Sequence, residues 1–169
     1  MTTPAAPGAA RPPLPLLLVL LLAAAFAARL GFCLLFPQSS PGGGIEAQCH
    51  PESGVCGTLA VTRCLVAGNR MTGIAVHGAD AMVASTVVRD TRSQESDGAS
   101  GRGIDAECLP AACGALNVTS SLVSGNHDTG IYVSGMEATV MDSTVRDTLP
   151  EEGSESAGRG INAQCHSDG

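Results

Sequence analysis

The sequence predicts an all-β fold: a right-handed parallel β-helix of about four to five rungs behind a hydrophobic leader helix. Three observations predict it. From Cys56 onward the chain is written twice without a gap, at a constant offset of 57 residues. The dipeptide Gly-Ile recurs at 44/45, 73/74, 103/104, 130/131 and 160/161, so each copy divides again into two units. Inside each unit the apolar residues alternate at period two, the signature of a half-buried strand rather than of a helix. Units of this length that cannot bury an apolar face alone must stack on their neighbours.

Taken in order, residues 1–28 form the leader. The apolar run 14–28 follows a single Arg11 and is shorter than the ~20 residues a membrane span needs. It reads as a signal peptide with a small-x-small site at Ala25-Phe26-Ala27, or alternatively as an N-terminal anchor; both send the chain out of the cytoplasm. Residues 29–43 are a linker whose end, PQSSPGG, resembles the tails of later loops. The repeats occupy 44–169, as a pair at 44–102 and 103–159 with a third copy opening at 160. An array open at its third copy reads as part of a longer one.

Laid over one another, the units form columns. The Gly-Ile strand stacks Ile45, Ile74, Ile104, Ile131 and Ile161, then Ala47, Val76, Ala106, Val133 and Ala163. A second strand stacks Val61, Val83, Val118 and Val140, and a third stacks Val66, Val88, Val123 and Val145. Strands joined this way pair in parallel at ~4.8 Å spacing, and the crossover rule favours a right-handed coil. Cys64, Thr86, Ser121 and Ser143 form a small polar column between the second and third strands, where stacked hydroxyls are expected to satisfy one another. The pairs Gly68-Asn69 and Gly125-Asn126 are expected in turns that need left-handed backbone. With 44% hydrophobic residues but only 2% aromatic, the core has to come from Val, Ile, Leu and Ala. The net charge of −7 and the absence of lysine exclude a basic nucleic-acid footprint.

The run G-I-x-V-x-G-x-x-A-x-V-x-x-S-x-V, at 73–88 (with Thr86 for the Ser) and 130–145, resembles the parallel β-helix repeat of the pectate-lyase-like superfamily, including its exported, repeat-rich bacterial members. The resemblance implies a fold and leaves the chemistry open, since one fold hosts many functions.

Two kinds of loop alternate. Cysteine loops hold Cys49 and Cys56, then Cys108 and Cys113. Pairing within each loop is expected, because Cys49 and Cys108 lie two rungs apart, ~10 Å, beyond the ~7 Å a disulfide spans. A zinc site would draw on Cys49, His50 and Cys56, but Leu109 replaces the His in the second loop, so no metal is assigned. Acidic loops carry Glu95, Asp97, Glu151, Glu152 and Glu155; they read as solvated, with only a weak calcium site as the alternative. Arg89-Asp90 and Arg146-Asp147 are expected to pair locally.

In enzymes of the resembling superfamily the groove runs along one sheet. On the outward face of the Gly-Ile strands, His77, Asp105, Glu107 and Tyr132 form the patch that joins acid, base and aromatic, a low groove for a sugar or a cation. An elimination would need an Arg or Lys on that face, and the nearest, Arg102, is placed by its sequence position in a turn. The expected function is therefore a structural or surface-interaction module with no assigned catalytic residue or cofactor. The alternative is a polysaccharide lyase, glycoside hydrolase or glycan-binding remnant. Expected partners are a polysaccharide or cell-surface component, or the strand edges of other β-helix units. The membrane is met only through the leader.

Overall fold

The computed structural model describes residues 33–35 (backbone only), 43–50, 55–154 and 158–165. The leader at 1–28, most of the linker, Glu155 and residues 166–169 lie outside them. Fourteen strands follow in chain order: β1 (Cys33–Leu35), β2 (Ile45–Gln48), β3 (Thr58–Thr62), β4 (Cys64–Ala67), β5 (Thr72–His77), β6 (Asp80–Ala84), β7 (Val87–Arg89), β8 (Arg102–Glu107), β9 (Ala115–Thr119), β10 (Leu122–Ser124), β11 (Thr129–Ser134), β12 (Glu137–Met141), β13 (Thr144–Arg146) and β14 (Arg159–Gln164). No helix occurs among the described residues.

The chain visits three sheets in turn, and each pass adds one parallel strand to each. The Gly-Ile sheet runs β14-β11-β8-β5-β2, the middle sheet β12-β9-β6-β3, and the third sheet β1-β4-β7-β10-β13. This is a β-helix-like solenoid. The columns read from the sequence are its register: Ile45 faces Ile74, Ile74 faces Ile104, Ile104 faces Ile131, and Ile131 faces Ile161. The valines of the other two sheets align likewise. Ile74, Ile104, Ile131, Val66, Val83, Val88, Val118 and Val123 are fully buried, joined by Leu116. β1 starts the third-sheet column inside the segment read as linker, with Cys33 opposite Cys64.

The corners differ in detail from what the sequence suggested. The small polar column does not satisfy itself hydroxyl to hydroxyl. Each hydroxyl accepts the backbone N–H of the preceding rung, from Cys64 to Thr86 (3.3 Å), from Thr86 to Ser121 (3.2 Å) and from Ser121 to Ser143 (3.1 Å). Each then donates to the carbonyl two residues back, at 2.8–2.9 Å. Parallel strands end here, so the corner N–H groups have no ladder partner, and the hydroxyl supplies one. The residue before each member, Arg63, Ser85, Ser120 or Asp142, takes the left-handed conformation that turns the chain.

The Gly-Asn pairs stand in turns with left-handed backbone, as expected, and the glycine is the residue that takes it. Gly68 and Gly125 adopt positive φ, but Asn69 and Asn126 do not. The asparagines turn inward and are buried, and Asn126 Oδ1 accepts the N–H of Thr91 at 3.0 Å. The two cysteine loops close as expected, Cys49–Cys56 with Cα atoms 4.3 Å apart and Cys108–Cys113 with 4.6 Å. Cys64 is buried and Cys165 exposed.

Candidate functional site

The outward face of the Gly-Ile sheet carries the only patch that the sequence singled out, and the register assembles it. Asp105 on β8 lies beside Ala75 on β5 and Tyr132 on β11, and Glu107 lies between His77 and Ser134. The four residues Asp105, Glu107, His77 and Tyr132 are therefore neighbours on one face. His77 Nδ1 is 3.9 Å from Glu46 Oε1, and the Tyr132 hydroxyl donates to Gln164 Oε1 at 3.3 Å.

The residue that holds this patch together is Arg102, which its sequence position places in a turn. Arg102 does not sit in the turn; it is the first residue of β8. Its Nη1 donates to Asp105 Oδ2 at 3.0 Å and to Glu107 Oε1 at 3.2 Å, and its Nε donates to Asp128 Oδ2 at 3.2 Å. The guanidinium also lies over the Tyr132 ring, 3.8 Å from its centroid, within cation–π range. Strict alternation would put Arg102 on the same side as Ile104. The corner breaks that alternation, because a side chain on Gly103 would point at Asn126 and Val123 while Ile104 is also buried. Two successive inward positions leave Arg102 and Asp105 on the same outer face.

Burial sets the electrostatics. Asp105 is 9% exposed, and its Oδ1 is buried with no hydrogen-bond partner. Burial pushes the Asp105 carboxyl above its usual range more strongly than Arg102 pulls it down; Glu107 adds to the rise and His77 opposes it. Burial works against the Arg102 charge too, but Asp105 and Asp128 outweigh it and hold the guanidinium above its ordinary value. A carboxyl raised in the fold contributes stability that is complete below the ordinary aspartate value, about 3.9. That contribution is lost as pH rises through the higher folded value. The stability of the native chain relative to Asp105→Asn is therefore expected to be greatest in acid and to decline toward neutrality. Thermal unfolding of both proteins across that window checks the sign; a difference that grows with pH would contradict it.

The acidic loops are more ordered than solvated loops need be. They stack on one another: Gly153 N–H donates to Gly98 O (2.9 Å), Ser100 N–H to Glu151 Oε1 (3.0 Å) and Glu152 N–H to Ser93 Oγ (3.0 Å). Arg70 bridges Glu95 at 3.0 Å, and Asp97 caps the backbone of Ala99 at 3.0 Å. Glu95, Asp97 and Glu151, three of the carboxylates expected to offer a calcium site, are thus placed against backbone and arginine. Among the described residues no group of three or more His, Cys, Asp or Glu side chains converges to hold a metal ion. Beside the loops runs a groove of about 490 Å³ lined by Arg70, Asp90, Arg92, His127 and Leu149 with Gly68 and Gly125. Arg89 and Arg146 pair with Asp90 and Asp147 at 3.0 and 3.4 Å, as their spacing predicts.

No protein-family model matches this chain, and no curated protein or solved structure matches it either.

Proposed function

We propose that the chain is an exported parallel β-helix module with a structural or surface-interaction role, of the right-handed, repeat-rich kind that its columns resemble. The observation that carries this reading is the mutual engagement of the charged groups in the Arg102 cluster. One guanidinium engages three carboxylates and covers a face of Tyr132. Arg102, the group an elimination would need as base, and Tyr132, the aromatic that would carry a sugar, are engaged with each other and with the carboxylates around them. A base held in three charge-assisted bonds is a poor proton acceptor. Its partners tie three stretches of chain, the start of β8, its end and the corner before β11, into one outer face.

Export is supported by the leader composition and by two disulfides, which suit an oxidising compartment. The competing reading is a carbohydrate-active β-helix using the same face. Incubation with polygalacturonate and with neutral glycans, followed by unsaturated uronate absorbance and reducing ends, separates the two. The module reading expects no product, and equal retention of native, Asp105→Ala and Glu107→Ala proteins on immobilised polysaccharide. Product formation that either substitution abolishes would overturn it in favour of the enzyme.

A further inference from the structure

The middle sheet carries a feature that the fold does not use. Asn117-Val118-Thr119 is the single Asn-x-Ser/Thr sequence in the chain, with Val and not Pro at its centre. This is the acceptor pattern of N-linked glycosylation, in which the hydroxyl two residues on is read together with the amide. In β9 the two flanking residues, Leu116 and Val118, are fully buried, while Asn117 points outward and is exposed.

Its column gives a second observation. The residues in register with it are Met82 on β6 and Thr139 on β12, with Ala60 on β3 beyond Met82. Ala, Met and Thr sit more easily in a strand than Asn does. The Asn117 side chain makes no hydrogen bond among the described residues, so nothing in the packing offsets its poor strand propensity. Around it the outer face is weakly polar, with Met82 45% and Met141 54% exposed. A hydrophilic adduct there would cover apolar surface and would meet no core residue.

We infer that Asn117 is an N-glycosylation site, an inference that rests on the export reading above. The donor is an oligosaccharide linked to a polyprenyl pyrophosphate. The Asn117 side-chain nitrogen forms a bond to the anomeric carbon as the bond from that carbon to the pyrophosphate oxygen breaks. The lipid pyrophosphate leaves with the electron pair, and the amide proton passes to a base of the transferring enzyme. No oxidant or reductant is needed. The glycan would shield the middle sheet and leave the Arg102 cluster on the Gly-Ile sheet open.

The test is mass analysis of the tryptic peptide Gly103–Arg146 from protein recovered outside the cells that make it. The expected result is a peptide heavier by a hexose and N-acetylhexosamine series. That shift is expected to be lost in Asn117→Gln and Thr119→Ala and kept in Thr119→Ser. An unmodified peptide from exported protein with intact Cys49–Cys56 and Cys108–Cys113 bridges overturns the glycan site and leaves the export reading standing. An unmodified peptide from protein that stays inside the cell with those cysteines reduced overturns both.

Discussion

Arg102→Met is expected to lower the unfolding free energy by about 2–4 kcal/mol, the range for removing one partner of a largely buried, charge-assisted set. The Arg102 side chain is 23% exposed, and those of Asp105 and Asp128 are 12% and 14% exposed. Without the guanidinium those two carboxylates keep their desolvation cost and lose their partner. Methionine retains the apolar stem, so the loss reports charge and not packing. Adding Asp105→Asn and Asp128→Asn to Arg102→Met is expected to restore most of the stability, because the uncompensated charges are then gone. Urea unfolding of the native chain, Arg102→Met and the triple variant measures it. A loss below about 0.5 kcal/mol would mean that the cluster behaves like a screened surface ion pair.

Gly103→Ala is expected to cost about 3 kcal/mol, at the upper end of what overpacking a rigid interior costs. The backbone at Gly103 is not in a glycine-only conformation; the obstacle is close approach. A Cβ there would lie 2.6 Å from the carbonyl oxygen of Gly130, in the next rung, and 2.7 Å from Asn126 Nδ2. The first contact is backbone held by the parallel ladder, so it cannot yield without shifting the rung. The same column supplies the control. Among the described residues, the added Cβ at Gly160 would meet only Val145 Cγ1, at 3.9 Å. Gly160→Ala is therefore expected to be neutral or to stabilise by a few tenths of a kcal/mol through the unfolded chain. Equal effects of the two substitutions in thermal unfolding would show that stacking contact is not what keeps the column glycine.

Much of this was legible before any coordinates. A residue that must contact its own counterpart one turn away is repeated in kind, so Ile45, Ile74, Ile104, Ile131 and Ile161 announced their stack. The cysteine loops were legible because their short spacing brings the thiols together with no help from the rest of the fold. Asp105, Glu107, His77 and Tyr132 fell on one face because alternation holds along the straight part of the strand.

Alternation fails at the corners, where the spacing of the residues no longer tells which way a side chain points. The Gly-Asn turns are legible, but that the glycine takes the positive φ while Asn69 and Asn126 are buried is not. The hydroxyl column is legible in the sequence but its partners are not, since the unpaired N–H groups belong to the backbone of the preceding rung.

By itself the sequence determined the rungs, their register and the bridges, because those depend on local period and on like residues meeting like. Only the tertiary structure decided the site. Arg102 reaches Asp128, 26 residues further along, because the solenoid places the corner before β11 one rung above the start of β8. Two successive inward residues at the start of β8, Gly103 and Ile104, then swing its guanidinium onto the outer face. Neither the distance across rungs nor the broken alternation is written in the spacing of the residues.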